Sequence, residues 1–297
     1  MNAPILVTVY DREIHFKKTI ESLLLCNGVD LTDLYIAIDG PLSKDVSLKQ
    51  GKIKSYISKI EGFKSVNVIQ RENNLGALKN GKYARDEVFK HHDRLIRTED
   101  DNEFSSHFIS FMNEGLDAYE KDENIFSICG YLEPIGVFEE GKTFYRRGFT
   151  SNGFAIWKDK FKKMEESDFK IKDESFSFFN FRRLILNMGY HVVSGLIFAE
   201  KMDYKLMDYY ICYYLYKKSM FCIFPNNSIV RNIGQDGSGM HSGINEVLQN
   251  QKIYRNSIGY DFSYVSDKIY NEAVNRYHKR SFFHTIYQYF KFLRLYK

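Results

Sequence analysis

The chain has 297 residues, 44% of them apolar and 27% charged, which is the composition of an ordinary globular protein and excludes a disordered one. A formal net charge of +4 is too small for a general nucleic-acid binder, which needs a concentrated basic face to displace counterions from phosphate. Cys26, Cys129, Cys212 and Cys222 form no CxxC pair, so they read as reduced core thiols and exclude a disulfide frame or a cysteine zinc site.

The first hundred residues alternate short β-branched runs with amphipathic segments, the pattern of a parallel sheet wrapped by helices. Ile5 to Val9 reads as a buried strand, and His15 to Cys26 as a helix with Phe16, Ile20, Leu23 and Leu24 on one face. A strand from Leu34 to Ile38 ends at Asp39-Gly40-Pro41, and a helix spans Val46 to Ile60. Val66 to Ile69 is a third strand and Ala77 to Phe89 a third helix. The strand Arg94 to Arg97 runs straight into Thr98-Glu99-Asp100-Asp101.

Farther along, His107 to Tyr119 reads as a helix and Ile125 to Cys129 as a strand. Thr150 to Trp157 is expected to turn through Gly153 into a helix, Tyr204 to Lys218 is helical, and Cys222 to Phe224 is strand-like. The loop Gly234 to His241 is rich in glycine. The opening MNAPILVTVYDRE has no charged region followed by a long apolar stretch, and no run of about 18 apolar residues occurs, so the expectation is a cytoplasmic protein that does not span a membrane.

In open α/β sheets the binding loops lie at the carboxyl ends of the strands. Here three such ends carry polar residues: Tyr10-Asp11-Arg12, Asp39-Gly40 and Glu99-Asp100-Asp101. No GxGxxG follows the first strand and no GxxxxGK[ST] occurs, which disfavours a dinucleotide-binding domain and a P-loop. Carboxylates crowded at a sheet edge repel one another, so the acidic tripeptide implies a bound cation or a basic neighbour. A plainer alternative is that Asp100 or Asp101 caps the helix that begins near Ser105.

The succession VTVYDR, AIDGP, RENNLGALKN, TEDDNEFSSHF and SNGFAIWKDKF, over residues 4 to about 243, resembles bacterial GT-A glycosyltransferases of surface-polysaccharide clusters. More distantly it is similar to N-acetylglucosaminyltransferase I. That resemblance implies an α/β fold, GT-A and Rossmann-like, with a mostly parallel sheet and a C-terminal helical extension. It implies a nucleotide-half at 1–130, an acceptor half at 131–245 and an extension at 246–297. The donor is expected to be a nucleotide-sugar, UDP-linked, the acceptor a saccharide carried on a lipid, and the cofactor Mn²⁺ or Mg²⁺.

Carried over position by position, the resemblance puts the metal on Asp101, with His241 as a second ligand, and turns Glu99 and Asp100 toward the sugar and ribose. Asp39 would read the uracil or ribose, and Arg12 and Arg71 the nucleotide and its phosphates, where a guanidinium engages two oxygens at once. Tyr10, Asn74, Gly76 and Gly153 complete the expected donor-binding set. An inverting transferase needs a carboxylate to take the acceptor's proton. Asp208, in Met207-Asp208-Tyr209, is the first choice and Asp203 the alternative. A sugar-nucleotide nucleotidyltransferase would carry a glycine-rich loop after the first strand, which this chain lacks; a non-catalytic carbohydrate-binding relative is the other competing reading.

From Arg276 onward the tail holds six Lys or Arg, no Asp or Glu, and many aromatics. It reads either as a helix lying on an anionic membrane at the inner face or as a terminal helix docked on the domain through Phe283, Ile286, Phe290 and Leu293.

Overall fold

The computed structural model describes residues 2–136, 141–174, 176–202, 207–238, 244–254, 259–263, 268–277 and 282–296. Strands β1 (Ile5–Val9), β2 (Asp33–Ile38), β3 (Ser65–Gln70) and β4 (Arg94–Glu99) run parallel, joined by α1 (Glu13–Leu24), α2 (Lys44–Ile57) and α3 (Ala77–Val88). All of β1 except Thr8 is buried, the signature of a strand covered on both faces. α1 buries Phe16, Thr19, Ile20 and Leu23 at the spacing of one helical face, and Ser43 caps α2 by accepting the Val46 N–H at 3.2 Å.

Beyond β4 the chain makes the short strand β5 (Asn102–Phe104), helix α4 (Phe108–Ala118), β6 (Ile125–Cys129), β7 (Thr143–Arg146) and β8 (Phe154–Trp157). After β8 come α5 (Lys158–Glu165), α6 (Phe178–Met188), α7 (Tyr190–Lys201), α8 (Met207–Lys218), β9 (Phe221–Pro225) and β10 (Val230–Asn232). α9 (Glu246–Gln249), α10 (Lys268–Tyr277) and α11 (Phe282–Leu293) follow. The main sheet has the order β3-β2-β1-β4-β8-β6-β9-β7, with β8 antiparallel to both its neighbours. A separate two-stranded sheet pairs β5 with β10.

The structure corrects the reading of residues 150–157. Phe154 to Trp157 form a strand in the middle of the sheet, and the helix starts only at Lys158. Four consecutive fully buried apolar residues carry no period, so sequence cannot separate a short central strand from a helix entrance. Lys160 locks this corner, its buried ammonium donating to the carbonyls of Tyr119, Asp122 and Ile125 at 3.2, 2.8 and 2.7 Å.

One core lies between the sheet and α1, α2 and α4, and another on the opposite face under α3, α5 and α8. Arg85, buried, ties α3 to α5 through both oxygens of Glu165 at 3.0 and 2.9 Å. A third cluster joins α6, α7, α8 and α11. All four cysteines are buried free thiols.

Candidate active site

β4 delivers Glu99, and the turn that follows delivers Asp100 and Asp101, both almost fully buried. A pair of buried carboxylates needs compensating charge, and Arg12, immediately after the β1 strand end, supplies it. Its guanidinium donates to Asp101 Oδ2 at 2.9 Å and makes a short contact with Asp100. Although burial works against the Arg12 charge, the two carboxylates hold its proton well above the ordinary value. The basic neighbour implied by the acidic tripeptide is therefore present in the protein itself.

The small sheet seats Asp101 from the other side. Arg231 pairs across the ladder with Glu103, its Nε donating to the carboxylate at 3.0 Å, which fixes the register that brings Asn232 opposite Asn102. Asn232 Nδ2 then donates to Asp101 Oδ1 at 3.3 Å, and the Ile233 N–H donates to the Asp101 carbonyl at 2.7 Å. A Cβ on Gly234 would sit 2.1 Å from Asp101 Oδ2, so only glycine lets the chain pass there.

On the α3 and α8 face of the sheet, Arg97 and Glu99 point the same way, two residues apart on β4. Asp208, in the first turn of α8, joins them, with Ser151 Oγ donating to its Oδ2 at 2.8 Å. Arg97 is cradled against α3: a Cβ on Gly81 would lie 2.3 Å from Nη2. Glu99 reaches solvent at the strand end, yet desolvation by its surroundings, with Asp101 beside it, pushes its carboxyl up to about 7. Burial pushes Asp100 up to about 6 against the pull of Arg12. Burial also raises Asp208, while Ser151 and Arg97 act in the opposite sense. Burial lowers Arg97 itself, with Glu99 and Asp208 holding its proton.

The remaining expected donor residues gather at the ends of β1, β2 and β3. Asp39 accepts the backbone N–H groups of Gly40, Leu75 and Gly76 at 2.9, 2.9 and 2.8 Å. Asn74 Nδ2 donates to the Gly40 carbonyl at 2.8 Å, and Gly76 enters α3 at φ +77°. The Tyr10 hydroxyl accepts the Leu42 N–H at 3.2 Å. Arg71 stacks on the Tyr83 ring at 3.1 Å, and its buried Nε and Nη2 have no hydrogen-bond partner among the described residues. Gly153, just before β8, takes φ +70°, and a Cβ there would meet Phe108 and Val230 at 3.0 and 3.1 Å. Asp203 and His241 lie outside the described residues.

Sequence reasoning did not single out Arg97, Ser151 or Asn232. Ser151 lies in the SNGF motif, where only Gly153 drew notice; Arg97 and Asn232 carry no local signal.

A cleft of about 540 Å³ opens beside Arg12, between the start of α1, the middle of α2 at Lys49 and Lys52, and the segment after β10. At its rim His15 Nε2 meets Asp236 Oδ2 at 3.0 Å. Hydrogen bonds from Ser238, with His15 adding to them, depress the Asp236 carboxyl to about 2, so the start of the glycine-rich segment is anchored over the site.

Among solved structures, this arrangement of strands and helices is found in GalNAc-T7 crystallised with UDP, GalNAc and Mn²⁺, at 13% identity and a TM-score of 0.51, with 93% of this chain and 48% of that one superposed. The chain has the GT-A fold. Weaker GT-A-fold likenesses include a mannosyltransferase of Pyrobaculum calidifontis in complex with GDP-Man and Mn²⁺ (8% identity, TM-score 0.38, 55% of this chain and 46% of that one). TarS of S. aureus is similar at 13% identity and a TM-score of 0.38, over 56% of this chain and 30% of that one. The chain thus spans less than half the length of each of these GT-A-fold proteins. The sequence matches no protein-family model and no curated protein.

The donor chemistry suits a hard divalent cation, since Asp101 and Asp100 present buried carboxylate oxygens. Among the described residues no group of three or more His, Cys, Asp or Glu is placed to enclose a metal. Asp101 Oδ2 accepts from Arg12 and Oδ1 from Asn232, so a cation reaching this carboxylate would compete with the guanidinium.

Proposed function

We propose that the chain is an inverting glycosyltransferase that moves a sugar from a nucleotide-sugar donor, UDP-linked, to a hydroxyl of a saccharide acceptor carried on a lipid. The observation that carries this reading is the meeting of two separate acidic groups around one strand end: Asp100-Asp101 over Arg12, and Asp208 beside Glu99 and Arg97. An inverting transfer needs both, one to manage the charge of the leaving diphosphate and one to take a proton.

In this reading Arg71, with two unpartnered donors, and Arg12 engage the nucleotide phosphates. Asp101 would hold Mn²⁺ or Mg²⁺, with His241 as a second ligand; such an ion, when bound, draws charge from the leaving diphosphate. Glu99 and Asp100 face the donor sugar and ribose, and Asp39 organises the nucleoside wall. Asp208 accepts the proton of the incoming hydroxyl, while the Ser151 hydrogen bond fixes which carboxylate oxygen is free to do so.

The test is calorimetry of UDP with and without Mn²⁺, beside a transfer assay. Asp101→Ala is expected to abolish the metal-dependent part of UDP binding and to cut turnover by at least about a hundredfold. Unchanged binding and turnover in that variant would overturn the proposal.

A second reading follows from the Arg12 contact with both aspartates: the guanidinium serves as the resident cation and no metal is required. UDP affinity that survives EDTA but is lost in Arg12→Met would favour it.

A further inference from the structure

The outward face of α11 is apolar, and it is not the face that docks. α11 packs on the protein through Thr285, Gln288 and Phe292, all buried; Gln288 Nε2 donates to Tyr190 Oη at 2.9 Å and to Ser194 Oγ at 3.2 Å on α7. Phe283 is 77% exposed and Phe290 59% exposed, on the opposite side of the helix, with Tyr287 between them. Of the docking expected through Phe283, Ile286, Phe290 and Leu293, only Ile286 is half-buried; Phe283, Phe290 and Leu293 are exposed, so the docking face is a different one.

α6 continues this surface. Phe178 touches Phe282 with ring centroids 5.8 Å apart and Phe179 at 6.0 Å, so an aromatic row joins the two helices. Phe179 and Leu186 are exposed on α6, and Arg182 and Arg183 stand exposed among them. Lys291 and the exposed Arg294 flank the α11 side. Neither residues 175–199 nor residues 273–297 contain an Asp or Glu.

We propose that this α6–α11 face seats the protein on an anionic lipid bilayer. Aromatic rings entering the headgroup region and arginines at their margin are the combination that binds such a surface, whereas an acid-free cationic rim would repel the same rim on a second copy. Among the described residues no helix is long and apolar enough to cross a membrane, so the contact is in the plane of the interface. α7, which α11 grips, lies against the residue that follows Asp208: a Cβ on Gly195 would come within 2.2 Å of the Tyr209 ring. The lipid-carried acceptor rests on the transferase reading; the docking surface does not.

The experiment is co-sedimentation of the full chain with vesicles of phosphatidylcholine alone and of phosphatidylcholine mixed equally with phosphatidylglycerol. Binding to the mixed vesicles, weakened by salt, is expected, with little binding to the neutral ones. Phe283→Ser with Phe290→Ser, and separately Arg182→Glu with Arg183→Glu, should each weaken it by at least about tenfold. Their melting curves and UDP binding should stay as in the parent, because these side chains are exposed. No sedimentation, or equal recovery on both vesicles, overturns the proposal. A dimer in light scattering that the Phe283→Ser, Phe290→Ser variant dissolves would overturn it in favour of a second copy. Vesicle binding without sugar transfer would leave this inference standing and sink only the transferase reading.

Discussion

At the end of β2, Asp39 spends its carboxylate on three backbone N–H groups of its own chain, joining the strand to the loop that opens α3. At the end of β4, on the other side of β1, the acidic residues find too few such donors. Asp100 and Asp101 share the Arg12 guanidinium, with one amide donor from Asn232 on Asp101, and Glu99 and Asp208 lie with Arg97 in poorly hydrated surroundings. A carboxylate saturated by backbone donors holds a fold together. One held above its ordinary proton affinity, with an oxygen still free, is available for chemistry. Polar residues at neighbouring strand ends thus do different work, and the difference lies in who donates to them.

The sharpest way to break this comparison is Asp208→Asn. If Asp208 is the base, kcat should fall by about 10² to 10⁴-fold while substrate affinity changes little. Its effect on stability has the opposite character. The folded-state pKa of Asp208 is raised, so the ionised carboxylate costs stability once the pH exceeds its unfolded value. Asparagine can still accept from Ser151, and the variant's Tm at neutral pH should equal or exceed the parent's. A lower Tm with intact turnover would place Asp208 with Asp39 instead.

Asp39→Ala is expected to show the reverse pattern, losing about 3 kcal/mol in denaturant unfolding because three backbone donors around a buried site lose their acceptor. Turnover per folded molecule should change far less than in Asp208→Asn.

The finest distinction comes from pH. A base is active when deprotonated, so activity is lost as the pH falls through the raised pKa of Asp208. Arg97 counteracts that rise, and removing it in Arg97→Met should move the acidic limb of the kcat/KM profile to higher pH by about one unit. Ser151→Ala, which removes the larger of the two opposing influences, should move it in the same direction by at least as much, and Arg97→Lys should largely restore the parent profile. An unmoved limb in Arg97→Met would detach Arg97 from the base.

The strand-and-helix succession of the first hundred residues was legible because each element carries its own period, as in α1, where Phe16, Ile20 and Leu23 fall on one face. The acidic tripeptide at the β4 end was legible for a similar reason: mutual repulsion demands a counter-charge wherever the fold places it. Local pattern could not say that the counter-charge is Arg12, because the pairing joins residues 88 and 89 positions apart in the chain. Nor could it find Arg97, Ser151 and Asn232, whose partners reach them from α8, α3 and β5 only after folding.

α11 shows the limit most plainly. Its sequence predicts either membrane contact or docking through its most apolar stripe, yet the structure buries Gln288 and Thr285 with Phe292 and leaves Phe283 and Phe290 outside. Hydrophobic periodicity fixes which residues share a face of a helix, and that much the sequence determined by itself. Which face turns inward depends on the hydrogen bonds and ring contacts a neighbouring helix offers, and only the tertiary structure supplies that neighbour.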